Sequence, residues 1–200
     1  KKKKYDVTIV DSLAINNLIS LKKKKKFALK NFYLKLLKER ILLLKKNKIK
    51  IIKKDSRDYH GISRVIDKIK PNYIYHLAAV AHANVSNKDP FSTFDHSFRT
   101  LENVLDASRN LKSLKRFIFL SSSMVYGNFK TNNVNEKTEC NPLGIYGALK
   151  FGAEKLVIGY NQIFKLPYTI VRPSALYGER CVSGRVLQLF IENALQGKSL

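Results

Sequence analysis

Tryptophan is missing from the 200 residues, methionine occurs once and cysteine twice. The two cysteines, Cys140 and Cys181, have neither metal-ligand nor CxxC spacing and read as reduced thiols of a cytoplasmic protein. Four histidines (His60, His76, His82, His96) form no HxxxH or HExxH pattern, so no metal site is expected. No apolar run approaches the length of a membrane span, and no membrane partner is expected. Lys1–Lys4 imitate the basic start of a signal peptide, but YDVTIVD is too short and carries acids. Acidic residues are scarce: 15 stand against 38 Lys plus Arg, a formal net charge of +23. Such a charge can mark a nucleic-acid or anionic-membrane partner. Here most of it lies early, at Lys1–Lys4, Lys22–Lys26, Lys45, Lys46, Lys48, Lys50, Lys53 and Lys54, where lysines interrupt an apolar helical pattern. That is how a solvated face reads, and it argues against a nucleic-acid partner.

What is present is a strand–helix alternation. YDVTIV (5–10), IKII (49–52), YIYHLA (73–78), RFIFLSS (116–122) and PYTIVRP (167–173) read as strands. Helical spacing runs from about Lys24 to Lys46, through Phe32, Leu36, Leu37, Ile41 and Leu44, and again from His60 to Lys70, where Pro71 stops it. Ser92 is placed to cap a helix through about Arg109; further helices are expected over Ile145–Phe164 and Arg185–Gln196, and 12–23 reads as loop. Strands apolar on both faces imply a parallel sheet covered on both sides, and right-handed crossovers make it α/β, doubly wound and three-layered. Ligands of such sheets sit at the carboxyl ends of the strands. Asp11, Asp55, Ala78, Ala79, Ser121–Ser123 and Pro173 are there.

Asp11 closes the first strand run, where a carboxylate can accept the hydroxyls of an adenosine ribose, and where it can equally cap a turn. Asp55 ends the next strand and has the same two readings. Ala78 and Ala79 allow a backbone to approach a ligand closely, or simply pack. SSSMVYG (121–127) brings three hydroxyls to the tip of a buried strand, able to bind a substrate oxygen or merely to shape a strand exit. Tyr146 and Lys150, in YGALK, share one helix face. A free tyrosine ionises near pH ~10, so a phenol acting as a base near neutrality needs ~4 kcal/mol of help. One cation ~4 Å away, at an effective dielectric of ~20, supplies ~4 kcal/mol. Either this pair is an acid–base device or it is an ordinary surface pair.

The order DSL…HLAA…SSSMVYG…YGALK…VRPSALYG resembles the extended short-chain dehydrogenase/reductase family in its NAD-dependent epimerase/dehydratase branch, over nearly the whole chain. The resemblance implies a Rossmann fold, NAD as cofactor and a sugar or nucleotide-sugar substrate. It makes Tyr146 the catalytic base, with Lys150 sustaining its acidity and holding the nicotinamide ribose, and Ser122 the hydroxyl that holds the reacting oxygen. Asp11 matches the ribose carboxylate, Asp55 and Ser56 the adenine contacts, Ala78 and Ala79 the backbone near the pyrophosphate. Pro173 and Ser174 match the wall beside the nicotinamide, and Ser123 and Ser174 join Ser122 toward the substrate. Relatives often dimerise through a helix pair that includes the YxxxK helix, so a homodimer is an expectation.

Four departures are visible. The GxxGxxG turn and the strand before it are not found. Ser123 and Met124 stand where 4,6-dehydratases carry an Asp-Glu pair, which argues against dehydration. Ala175 replaces the asparagine that touches the nucleotide in the epimerases, and His96 replaces another asparagine. With no initial Met and no closing element after GKSL, residues 1–200 are expected to be a Rossmann epimerase domain truncated at both ends, with the substrate-binding part starting from about 174. In the strand order 3-2-1-4-5-6 the absent strand is central, and the helix N-terminus that neutralises a pyrophosphate is absent with it. The 200-residue piece alone is therefore expected to fold marginally and bind NAD poorly. The expected activity is NAD-dependent sugar epimerisation through a transient ketone. A dehydrogenase releasing its ketone, and a non-catalytic basic Rossmann protein, are the alternatives.

Overall fold

A computed structural model describes residues 5–15, 21, 29–129, 133–182 and 186–199. In chain order its elements are β1 (Thr8–Asp11), α1 (Lys30–Lys46), β2 (Lys50–Lys53), α2 (Tyr59–Ile69), β3 (Tyr73–His76), α3 (Ala83–Lys88), α4 (Pro90–Phe94), a π-turn (Asp95–Arg99), α5 (Thr100–Ser108), β4 (Arg116–Leu120), a 3-10 turn (Ser123–Tyr126), α6 (Gly144–Phe164), β5 (Tyr168–Val171) and α7 (Val186–Leu195). They divide into two compact units, Lys1–Lys53 with Ala175–Leu200, and Lys54–Ser174.

In the first unit β1 and β2 pair in parallel, Thr8 opposite Lys50 through Asp11 opposite Lys53. The β-branched run Thr8-Ile9-Val10 suits a pleated, half-buried strand. A parallel pair needs a long crossover, and α1 supplies it. Lys45 and Lys46 lie in its last turn, where cations complement the helix dipole. The buried stripe of α1 is narrower than the spacing suggests. Tyr33 and Leu37 are buried with Leu21 and packed by Leu29, Leu34 and Val182, whereas Phe32 is exposed. The Tyr33 hydroxyl accepts a hydrogen bond from Gln188 of α7. The part of the expected helix between Lys24 and Ala28, and most of the expected loop 12–23, lie outside the described residues.

The second unit is built on the parallel ladder β3–β4–β5. Tyr73 faces Arg116 and His76 faces Phe119; Phe117 faces Tyr168 and Leu120 faces Val171. β4 is the central strand, and its Phe117 and Phe119 are buried. α2 buries Ile62 and Ile66, α5 buries Leu101, Val104 and Leu105, and the two helices pack together. The pairing β1–β2 is that of the second and third strands, and the pairing β3–β4–β5 that of the fourth, fifth and sixth, in the order 3-2-1-4-5-6.

Two expectations need correcting. β3 is not buried on both faces: its His76 is buried, but Tyr73 and Tyr75 stand exposed. The helix expected to start at Ser92 starts at Pro90, and the cap is Asp89, whose carboxylate accepts the Ser92 N–H at 3.0 Å. Proline at the first helical position and a carboxylate just before it outcompete the serine. That helix also passes through the π-turn at Asp95–Arg99, and the short α3 precedes it; neither shows in the apolar spacing.

Candidate functional site

α6 carries Tyr146, Lys150 and Glu154 at intervals of four, so all three lie along one face. Lys150 is buried, and its Nζ donates to the carbonyl oxygen of Leu120 at 2.6 Å. The ammonium also lies over the Phe119 ring, 5.1 Å from its centroid. Burial pulls the Lys150 pKa down to about 8, while the Glu154 carboxylate one turn on favours the charged form. Tyr146, half-buried, shares a small cavity with Lys150, Phe119, Leu149, Ala153, Thr93 and Ser97.

The three serines at the end of β4 diverge. Ser121 is buried and its hydroxyl donates to Glu154 Oε1 at 2.5 Å. Ser122 caps the 3-10 turn, its Oγ accepting the Met124 N–H at 3.2 Å. Ser123 uses its backbone N–H to donate to the Pro173 carbonyl at 2.9 Å. This turn lies directly on α6 beside Tyr146, because a Cβ on Gly147 would come within 2.9 Å of the Met124 oxygen. The turn ends at Gly127, whose φ of 68° and contact with the Asn141 carbonyl leave no room for a side chain. Ser122, Tyr146 and Lys150 are thus gathered where β4 meets α6, with Pro173 at the neighbouring exit of β5. Ser174 follows it and is exposed.

Glu154 and Arg172 are the members that sequence reasoning missed. Glu154 is only 1% exposed. Beyond Ser121, it receives Arg172 through Nε at 2.9 Å and Nη2 at 2.7 Å, a two-pronged ion pair between α6 and the end of β5. Arg172 Nη1 also donates to the Tyr126 hydroxyl at 3.1 Å, and the guanidinium lies over that ring. The one available signal was the continuation of the Tyr-Lys spacing by a third polar residue on an otherwise apolar helix face. His76, at the end of β3, stacks with Phe117 and Phe119. It is buried, its Nε2 has no hydrogen-bond partner among the described residues, and burial followed by the Lys150 charge pulls its pKa down to about 3.

The other predicted residues are held by contacts of their own. Asp55 is held by Arg57, which donates its backbone N–H at 2.9 Å and its guanidinium to both carboxylate oxygens. The Arg57 guanidinium holds the Asp55 carboxyl below its usual range, and also reaches Asp95 at 3.0 Å. The backbone carbonyls of Ser56 and Arg57 both accept from the buried Asn103 side chain. Ala78 is exposed; its carbonyl accepts from Thr100 Oγ1 at 3.2 Å, and the Val80 N–H donates to Ser97 Oγ at 3.0 Å. The π-turn and its neighbour therefore hold the loop that carries Ala78 and Ala79. In the first unit, exposed Asp11 accepts the Leu13 N–H at 2.7 Å, the turn-forming contact weighed above. Among the described residues no three His, Cys, Asp or Glu side chains are grouped to hold a metal, and no helix is long and apolar enough to cross a membrane.

The family profile that matches this chain is described as the NAD dependent epimerase/dehydratase family, and it matches residues 1–200. Among similar proteins, the "Uncharacterized UDP-glucose epimerase YtcB" of Bacillus subtilis is 31% identical over 100% of this chain and 58% of its own length. The dTDP-D-glucose 4,6-dehydratase of Dictyostelium discoideum is 32% identical over 78% of this chain and 38% of its own length. The chain thus spans between about two-fifths and three-fifths of the length of these curated relatives. Among solved structures, a UDP-glucuronic acid 4-epimerase from Bacillus cereus, in complex with UDP-glucuronic acid and NAD, superposes with a TM-score of 0.78. It is 26% identical, over 98% of this chain and 57% of that one. A UDP-glucose 4-epimerase from Thermotoga maritima, at 23% identity and a TM-score of 0.77, shares the fold. The architecture is the Rossmann-type parallel sheet of these enzymes. Matched by the family profile from its first residue to its last, the chain belongs to the NAD-dependent epimerase/dehydratase family.

Proposed function

We propose that this chain is the catalytic part of an NAD-dependent epimerase acting on a nucleotide sugar by transient oxidation of one hydroxyl to a ketone. One observation supports the reading: the turn that follows Ser122 packs on α6 at Gly147, beside Tyr146, and on the same helix the buried Lys150 is anchored 2.6 Å from the Leu120 carbonyl. The residues present fit a dinucleotide. Ala78 and Ala79 offer only methyl groups at the exit of β3, and Ala78 is exposed. Lys150 supplies a cation and Tyr146 a hydroxyl for a nicotinamide ribose, while Pro173 supplies an apolar wall. Asp11 is an exposed strand-end carboxylate suited to ribose hydroxyls. Held by Lys150, Tyr146 and Pro173, NAD would supply a reversible acceptor for the hydride of the carbinol carbon.

Tyr146 takes the proton of the substrate hydroxyl as that carbon is oxidised, and returns it when the ketone is reduced on its other face. Lys150 favours the charge that forms on the phenol oxygen, at a buried position where an ion pair is less screened. Ser122 donates its hydroxyl to the reacting oxygen in both directions, while its own Oγ is oriented by the Met124 N–H. Dehydration would need a further acid and base on the β4 exit, and Ser123 and exposed Met124 supply neither.

The test is an incubation of the intact native protein with UDP-galactose and catalytic NAD. Conversion to UDP-glucose with no net NADH supports the epimerase. Stoichiometric NADH would assign a dehydrogenase that releases its ketone. Loss of water with formation of a 4-keto-6-deoxy sugar would contradict the reading of Ser123 and Met124.

A further inference from the structure

We propose that Glu154, with Arg172, is a positioning residue that clamps the exits of β4 and β5 onto α6 and so fixes Ser122 relative to Tyr146. The inference rests on the epimerase reading only for what the fixed geometry is used for; the clamp itself stands on contacts of this chain.

The clamp has three arms. The first runs from Ser121, next to Ser122, to Glu154 at 2.5 Å. The second is the two-pronged pair from Arg172, next to Pro173, to the same carboxylate. The third runs from Arg172 to the Tyr126 hydroxyl at 3.1 Å, at the far end of the turn that Ser122 caps. The Glu154 carboxylate is therefore a single point to which both strand exits are tied, two helical turns from Tyr146 on the same helix face. The Ser123 N–H to Pro173 carbonyl bond joins the two exits directly, and Lys150 to Leu120 adds a parallel tie one helical turn nearer Tyr146.

An ion pair with one partner buried and the other half-buried is a poor choice for stability alone. Desolvating both charges offsets most of their attraction, and apolar groups of the same volume commonly do as well or better. Its advantage is directional: the forked geometry accepts one register of β5 against α6 and rejects neighbours. A reacting oxygen held by Ser122 and deprotonated by Tyr146 demands that register, because a misplacement of about 1 Å costs about 10²-fold in rate.

The experiment compares the intact native protein with the double variant Glu154→Met, Arg172→Met and with Glu154→Gln, by hydrogen exchange of the backbone and by kinetics with UDP-galactose. The expected result for the double variant is wild-type exchange in α2 and α5, but exchange at 120–126 and 172–174 raised about tenfold or more, since local opening is set by local contacts. With UDP-galactose, kcat is expected to fall about 10²-fold while KM changes by less than about threefold. Should the double variant not fold, Glu154→Gln decides, with the same local rise at smaller amplitude. Wild-type exchange at 120–126 in a folded variant overturns the clamp. So does exchange that rises equally throughout the domain, which is the mark of a merely structural pair. If the wild-type protein leaves UDP-galactose unchanged, that counts against the substrate reading alone, and the exchange pattern still decides the clamp.

Discussion

The ammonium of Lys150 donates to the backbone carbonyl of Leu120 at 2.6 Å, the last residue of the central strand. A side chain that resembles the activating lysine of a YxxxK pair is thus also the tie between α6 and β4. Chemistry and register meet in one bond, and most consequences of the structure can be read from it.

Lys150→Met separates the two roles. The unfolded chain titrates this lysine near 10.5 and the folded chain near about 8, so between those pH values the unfolded chain binds more protons. Wild-type stability should therefore rise with pH across that window, and below it the buried charge costs ~3 kcal/mol. The variant loses the cost but leaves the Leu120 carbonyl without its donor, at ~1 kcal/mol or more. Chemical denaturation at pH 7 should find it as stable as the wild type or more so, with no rise between pH 8 and 10.5, while turnover falls by about 10²-fold or more.

His76 sets the acid limit. Its pKa is pulled from the ordinary 6.5 to about 3 in the folded chain, so between those values the unfolded chain binds the extra proton. Stability should be fully present above 6.5 and fall as the pH is lowered toward 3, by ~3 kcal/mol at pH 4.5. His76→Leu removes that proton linkage. Denaturation curves at pH 7 and 4.5 should show a smaller difference for the variant than for the wild type.

Gly147→Ala tests the approach of the serine turn to α6. The added Cβ would lie 2.9 Å from a backbone oxygen, Met124 O, and 3.2 Å from the Pro142 side chain. Backbone cannot swing aside as a side-chain tip can. The expected cost is ~1–3 kcal/mol in a melt, with a greater proportional loss in kcat than in substrate affinity, because the displaced segment carries Ser122.

Asn103→Ala addresses the segment that carries Asp55 and Ser56. One buried amide donates to the carbonyls of Ser56 at 2.9 Å and Arg57 at 3.0 Å. Its removal leaves two acceptors short of a donor and should cost ~1–3 kcal/mol. If Asp55 and Ser56 meet an adenine, calorimetry should also find NAD binding weakened, with Tyr146-dependent chemistry at saturating NAD little changed.

The strand–helix alternation was legible because the strands RFIFL and YTIV are short apolar runs between helices of clear period. Tyr146 and Lys150 were legible because one helix face is a local pattern. The Ser92 cap was misread because Asp89 and Pro90 start the helix three residues sooner. The π-turn was invisible, since one extra residue in a turn barely disturbs apolar spacing. Glu154–Arg172 escaped for a different reason: an ion pair across 18 residues is made by the topology of β5 and α6, and neither residue is unusual where it stands. His76 looked like part of a small-residue motif, and only burial between two phenylalanines makes it a titrating core group.

The most direct measurement is the turnover of Tyr146→Phe in the intact native protein, with NAD binding followed in the same samples. Removing one hydroxyl from a half-buried ring should weaken NAD binding by no more than about tenfold, the loss of one ribose hydrogen bond, and should lower kcat by about 10²-fold or more at every pH from 6 to 9. A variant that binds NAD normally and turns over at the wild-type rate would contradict the assignment of the phenol as the proton acceptor.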